Sequence, residues 1–426
     1  MKKITFTLLL YHLITLSLFS QEIKKGEVYS YARKIVDTMA SQSMHGRGYV
    51  NGGDSIAANY LKNEFRKIGL KSFGSDYYQR MSFAINTFPD ERPTKNGFWI
   101  IPSGINSTSQ YSFIGIPGKN FLFESSSPTL FSELIVSIID SNDVSSDKKL
   151  KKILKKIRKS DWPQEIQFLV IDDRGVFDKK KIERFKTLKR NEFGFIGIAT
   201  FVPKLTWSQS QIVSKYTRIQ IVADSFKLKK GNFQGDIQLQ TKFIPSHPSQ
   251  NVIGYIKGSV YPDSFIVYSA HYDHLGHMGK EIYFPGANDN ASGCAMLLNL
   301  ANYYSKPENK PKYSIAFMAF CGEEVGLLGS KYYTENPLFP LKNIKFVFNM
   351  DIMGTGEEGI TVVNGTIFKT EFDKLKEINT QNNFIKDVKI RGKSANSDHY
   401  FFSEKGVKAF FIYSMGGIKA YHDIYD

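Results

Sequence analysis

His271, Asp273, Asp289, Glu323, Glu324, Asp351 and His422 supply the two side-chain chemistries that zinc accepts readily, imidazole nitrogen and carboxylate oxygen. Their spacing is the informative part. His271 and Asp273 follow directly on the apolar run 265–270, and Glu323 and Glu324 come after the run 313–320 with only Cys321 and Gly322 between. Asp351 follows the run 344–348 after Asn349 and Met350. Asp289 sits in a Gly-flanked loop, 286–293, just ahead of a helical pattern, and His422 comes after the apolar run 409–413. Three strong strands each ending in His or carboxylate converge on one edge of a parallel sheet. Five donors with one shared carboxylate then give each of two ions three protein ligands, and ions about 3.5–4 Å apart can act together on a water and a substrate oxygen. A further carboxylate outside the ligand set must take the proton from the attacking water and pass it to the leaving group. The neighbours Glu323 and Glu324 can divide the tasks of base and ligand. Asp273 is placed to accept the other ring N–H of His271 and fix its tautomer.

The elements that must position these residues can be read from periodicity. Helices are expected at 27–40, at 57–68 with Gly69 as C-cap, and at 291–304; strands at 252–256, 265–270, 313–320 and 344–348. The last two are near-continuous apolar runs, as central strands covered on both faces should be. Strands alternating with helices imply an α/β fold with a doubly wound, mostly parallel sheet, whose sites form at the carboxyl ends of strands. Between about 101 and 245 the pattern changes. A basic helical run is followed by the strand 166–171, a lysine-rich helix at 179–190 and a strand at 193–199, which is the signature of a smaller inserted α/β module. The organisation expected is a leader at 1–20, an amino-terminal part of the main domain at 21–100, the inserted module at 101–245 and the metal-binding core at 246–426.

Composition narrows the class. A chain of 426 residues with 42% hydrophobic and 14% aromatic residues can bury a large core and is not a disordered segment. Its formal charge of +15 invites a nucleic-acid reading, but net charge alone speaks to solubility and steering, and no nucleic-acid partner is expected. The one dense basic run, 148–159, has Leu150, Ile153, Leu154 and Ile157 at helical spacing. It reads as an amphipathic surface helix with a solvated basic face, a membrane surface or polyanion being the alternative partner. Met1-Lys2-Lys3 followed by an apolar stretch to Phe19 reads as an export signal cleaved near Ser20-Gln21, which makes the protein periplasmic or extracellular; no later stretch reaches transmembrane length. Cys294 and Cys321 flank the candidate site and read as buried packing, with a single disulfide as the alternative.

At the clustered residues the sequence resembles a known family. His271-Tyr272-Asp273, Asn288-Asp289-Asn290, Gly322-Glu323-Glu324, Asn349-Met350-Asp351 and Tyr421-His422 are similar, in order, to the successive motifs of the co-catalytic dizinc aminopeptidases, a family that also holds glutamate carboxypeptidase-like enzymes and glutaminyl cyclases. The resemblance covers 251–426, with a weaker echo in the Gly-rich loop 46–53 and the helix ending at Ile68. It implies two zinc ions, with Asp289 as the bridge, His271 and Asp351 at one ion, Glu324 and His422 at the other, and Glu323 as general base acting on peptide substrates. The inserted module vaguely resembles a protease-associated insert. Relatives continue past the position of Asp426 with a Thr and a further helix. Ser397-Asp398-His399 lacks a nucleophile elbow and reads as support for the site or a substrate contact. His274 and His277 are expected as loop polarity or support for the ligands, and His45 and His247 as exposed loop residues. A glutaminyl cyclase, a carboxypeptidase and a non-catalytic binding domain on the same scaffold are the competing readings.

Overall fold

The computed structural model describes residues 25–89, 96–101, 113–159, 163–280, 282–417 and 419–426. The expected leader lies outside them. No helix among the described residues is long and apolar enough to cross a membrane. The chain divides into two compact units, one of residues up to Phe83 with Ser246–Gly276 and Phe284–Asp426, the other of Ala84–Pro245 with His277–Tyr283. Eight helices are used below: α1 (Lys25–Met39), α2 (Gly53–Ile68), α3 (Asp147–Arg158), α4 (Lys179–Lys189), α5 (Ser292–Ser305), α6 (Leu328–Glu335), α7 (Lys369–Asn382) and α8 (His399–Glu404).

β1 (Tyr78–Thr87) carries the chain from the first unit into the second, and the strands that follow are β2 (Gly97–Ile101), β3 (Phe113–Ile114), β4 (Phe121–Phe123), β5 (Leu130–Ile139), β6 (Gln167–Ile171), β7 (Gly197–Val202), β8 (Thr217–Val222) and β9 (Asn232–Leu239). β10 (Lys242–Ile256) returns to the first unit. Then come β11 (Tyr261–His271), the short β12 (Gly276–His277) and β13 (Tyr283–Phe284), β14 (Tyr313–Phe320), β15 (Ile344–Met350), β16 (Gly359–Val363), β17 (Val388–Ile390) and β18 (Ala409–Met415).

The first unit is built on a mixed eight-stranded sheet in the order β1-β10-β14-β11-β15-β18-β16-β17. Its centre, β14-β11-β15-β18, is parallel, while β10 and β16 join antiparallel at either side. The register aligns the strand ends: His271 stands opposite Phe320, Ser269 opposite Asn349 and Met350 opposite Ile412. The loops after β11, β14 and β15 therefore leave the sheet along one edge. Side chains alternate between two covered faces. Val267, Ala316, Met318 and Val347 pack with Tyr333 of α6 and Phe402 of α8. On the other face Tyr268 stacks against Phe317, Phe348 and Tyr304 of α5. Burial on both sides is why these strands read as unbroken apolar runs. α2 ends where Gly69 takes φ 85° and donates its N–H to the Phe65 and Arg66 carbonyls. Gly48 serves close approach: a Cβ there would meet Gly276 Cα at 2.4 Å.

The second unit has its own eight-stranded sheet, β3-β2-β9-β5-β6-β7-β8-β4, parallel from β5 to β8. α3 and α4 are the crossovers joining β5 to β6 and β6 to β7, the helical connections that parallel neighbours need. β2 pairs here with β9, Phe98 opposite Ile237, so this unit takes in residues ahead of 101. That partnership is formed with a strand far later in the chain and leaves no local mark in the sequence.

Candidate metal centre

His271 is the last residue of β11, and the loops leaving β14 and β15 bring Glu323, Glu324 and Asp351 beside it. Its Nε2 lies 3.2 Å from Asp289 Oδ1 and 3.2 Å from Asp351 Oδ1. The other Asp289 oxygen, Oδ2, is 3.2 Å from His422 Nε2, which is also 3.1 Å from Glu324 Oε2. One carboxylate therefore faces two imidazoles with its two oxygens. His271, Glu323 and Asp351 form one group of potential ligand atoms within 4.8 Å of one another, and His271, Asp289 and Glu324 a second. All five expected ligands and the expected base are thus in one place. The Asp289–Asn290 peptide is cis.

The electrostatics are those of a packed cluster of charges. Burial disfavours charge on His271, but Asp351, Glu323 and Asp289 outweigh it and hold the ring's pKa well above the imidazole range. His422, likewise buried, is pushed up to about 11 by Glu324 and Asp289. Burial would raise Asp289 and Glu324, yet the two imidazoles pull Asp289 well below the usual carboxylate range, and His422 brings Glu324 to about 2. Glu323 goes the other way, raised well above its ordinary value by burial and by Asp351 and Glu324. Asp289, Glu323, Glu324 and Asp351 crowd around two imidazoles, so the site is built to receive cations.

The donor set and its spacing fit zinc. Neighbouring ligands of a tetrahedral ion with bonds of about 2.0–2.1 Å stand about 3.3 Å apart, and the imidazole-to-carboxylate separations of 3.1–3.2 Å match that edge. His271 directs Nε2 into the cluster because Nδ1 is engaged on the Asp273 backbone carbonyl at 3.1 Å.

That contact corrects the role expected for Asp273. Its carboxylate lies 3.8 Å from His271 Nδ1, and it instead accepts the Tyr49 hydroxyl at 2.7 Å and the backbone N–H groups of Glu323 and Glu324 at 3.2 and 3.3 Å. It fixes the backbone that carries the two glutamates, with burial raising its pKa to about 6. Ser397 donates to Asp351 Oδ2 at 2.8 Å and accepts from Asn349 at 2.7 Å, so the Ser-Asp-His string supports a candidate ligand. His274 places Nδ1 2.7 Å from Glu324 Oε1 and does the same for that carboxylate. His247 is not an exposed loop residue: it lies in β10, packed edge-on to Tyr49, with Nε2 2.9 Å from Asp54 Oδ2. Both cysteines are buried and free.

Arg47 escaped the sequence reading. Its guanidinium is fully buried and spends all five N–H donors on five backbone carbonyls: Tyr272 from Nε, Met39 and Pro285 from Nη1, Gly286 and Asp289 from Nη2. Two of these belong to Asp289 itself and to the residue after His271. The one local signal was an Arg between two glycines, Gly46 and Gly48, in a loop where the backbone can come very close to its neighbours.

Comparison with known proteins agrees with this geometry. Residues 251–426 match the model of peptidase family M28. Aminopeptidase YwaD of Bacillus subtilis is 38% identical over 128 residues, 29% of this chain and 26% of that protein. A probable zinc metalloprotease of Pyricularia oryzae is 39% identical over 113 residues, 26% of this chain and 22% of that protein. The matched stretches thus span about a quarter of these relatives' length. Among solved structures, the zinc aminopeptidase BSAP from Bacillus subtilis aligns with a TM-score of 0.62 at 17% identity, covering 93% of this chain and 88% of that one. The aminopeptidase from Aneurinibacillus sp. strain AM-1 aligns at 0.54 and 16% identity, with the same coverage. These structures share the mixed α/β fold, and the sequence matches show that residues 251–426 are similar to peptidase family M28 and to zinc metalloproteases and aminopeptidases.

Proposed function

We propose that this chain, whose residues 251–426 carry the peptidase family M28 match, is a zinc-dependent aminopeptidase holding two zinc ions per chain. The observation that carries the reading is the Asp289 carboxylate, whose two oxygens face the Nε2 atoms of His271 and His422 at 3.2 Å each. In this assignment Asp289 would be shared between the two ions, His271 and Asp351 would help hold one, and Glu324 and His422 the other. When bound, the ions supply the activation of water and the polarisation of the scissile carbonyl.

The protein's own residues do the rest. Glu323 is the general base: held beside Asp351 and Glu324 with a raised proton affinity, it takes the proton of the attacking water and delivers it to the leaving amine. Asp273, tied to Tyr49, holds the Glu323–Glu324 backbone and so fixes both glutamates in place, Glu324 where it would hold a zinc ion and Glu323 where it would act as base. The substrates are peptides with a free amino terminus. The same reading takes the sheet of the first unit as a doubly wound core, the second unit as an inserted module, and residues 1–20 as an export signal leading to the periplasm or the exterior.

Side-by-side hydrolysis of a dipeptide and its N-acetyl derivative by the zinc-loaded chain tests this. Cleavage of the free dipeptide alone is expected. Cleavage of the acetylated peptide from its carboxyl end would establish a carboxypeptidase instead, and zinc binding without hydrolysis of any aminoacyl reporter would leave only a binding domain.

A further inference from the structure

The second unit concentrates charge that the metal centre does not use. Residues 147–159 and 178–190 contain fifteen Lys and Arg against Asp147, Asp178 and Glu183, a net +12 in a chain whose total is +15. Outside these 26 residues the chain is close to neutral, so the basic character belongs to one place.

The fold puts both segments on one surface. α3 and α4 cover the same face of the second sheet, their Leu150, Leu154, Ile157, Phe185 and Leu188 packing together with Leu169 and Ile171 of β6. Arg184 of α4 pairs with Asp147 in the first turn of α3, and Lys180 acts on the same carboxylate, so the amino ends of the helices lie side by side. At 100° per residue, Lys148, Lys152, Lys155 and Lys159 fall directly opposite Leu150, Leu154 and Ile157, and all four are exposed. None of the four forms an ion pair among the described residues. Like charges at this spacing repel one another, so the helix itself gains nothing from the ridge.

Which side chains remain free identifies the kind of partner. The three arginines are turned to the protein's own oxygens: Arg158 to the Phe193 carbonyl, Arg184 to Asp147 and the Val144 carbonyl, Arg190 to Glu192. What faces outward is lysine, a hydrated point charge on a flexible stem rather than a fork for bidentate recognition. At the amino end of α4, one residue ahead of its N-cap Asp178, Phe177 is 90% exposed. A ridge of lysines with one bare aromatic fits a diffuse anionic interface, where amines meet phosphates and the ring enters the headgroup layer. A nucleic-acid backbone could meet the same lysines through its phosphates, but single-strand binding draws on a series of aromatic platforms where this face offers Phe177.

We propose that the α3–α4 face of the second unit docks on the surface of an anionic phospholipid bilayer. Co-sedimentation of the full chain with vesicles of phosphatidylcholine alone, and of phosphatidylcholine mixed with phosphatidylglycerol, tests it. The chain should partition to the mixed vesicles only, and less as salt rises. Joint Lys148→Gln, Lys152→Gln, Lys155→Gln and Lys159→Gln substitution should weaken partitioning on the order of a hundredfold or more, since each lysine contributes about fivefold near such a surface. Phe177→Ser should weaken it by a smaller factor. Both variants should hydrolyse a soluble aminoacyl reporter at the wild-type rate, which separates this proposal from the catalytic one. Equal binding to neutral vesicles, binding unchanged in both variants, or tighter binding to a nucleic-acid duplex than to the anionic vesicles would overturn it. Should the lysine variant fail to fold, the Phe177 variant and the salt dependence of the wild type decide alone.

Discussion

Arg47→Lys should cost about 2–4 kcal/mol of stability and loosen the metal centre, although the charge is kept. The guanidinium reaches the carbonyls of Tyr272, Met39 and Pro285 at 2.8 Å, Gly286 at 2.7 Å and Asp289 at 3.1 Å, with no exposure to solvent. A lysine offers three donors from one atom, so at least two of the five carbonyls lose their partner. Each buried acceptor left unsatisfied costs about 1–3 kcal/mol, and partial relaxation keeps the total in the lower half of the roughly 2–6 kcal/mol that two would give. Because two of the carbonyls flank or belong to His271 and Asp289, the loosening reaches the ligands, and supports of this kind change metal affinity by about 10–100-fold. Urea unfolding of the metal-free protein reads the first effect, and zinc competition against a chromogenic chelator the second. An Arg47→Lys protein with an unchanged midpoint and unchanged zinc affinity would refute the clamp.

Two further outcomes follow from the site. Glu323→Gln keeps the shape and neighbours of the side chain but cannot accept a proton. It should lower kcat by about 10²–10⁴-fold with zinc content unchanged on metal analysis, whereas hydrolysis at an undiminished rate would remove Glu323 from its role. His399 is buried beside Phe411, and burial depresses its pKa to about 4. Its folded form binds fewer protons than the unfolded chain, so its contribution is present above the ordinary value of about 6.5 and is lost as pH falls from there through 4. The amount is roughly 3 kcal/mol. Urea midpoints of the metal-free wild type minus those of His399→Gln isolate this ring, because carboxylates titrating in the same range cancel. A difference that is flat between pH 7 and 4 would contradict it.

Much of the centre was legible because its signals are local. His271, Glu323, Glu324 and Asp351 stand at or just after strands whose apolar runs are unmistakable, and the parallel register carries that pattern into one edge. What the sequence concealed depends on distant partners. The carboxylate of Asp273 looked tied to His271 by a separation of two residues, yet its bonds go to Tyr49, 224 residues away, and to the Glu323 N–H, 50 residues away. His247, set in the polar, Pro-flanked stretch 245–248, read as a loop residue; β10 runs through it and packs it against Tyr49 and Phe83. Arg47 was hidden because a cation in a Gly-rich loop looks like a surface residue, and only the folded chain shows five carbonyls turned toward it. The second unit takes in β2 for a similar reason, since the partner that claims the strand lies beyond residue 230.

Zinc titration of the chelated protein against hydrolysis of an aminoacyl reporter tests the two-ion centre most directly. Activity should vanish on chelation, return with added zinc and reach its plateau at two equivalents per chain, while Asp289→Ala, lacking the shared carboxylate, should regain none. Full activity in the chelated protein, or a plateau at one equivalent, would contradict the account.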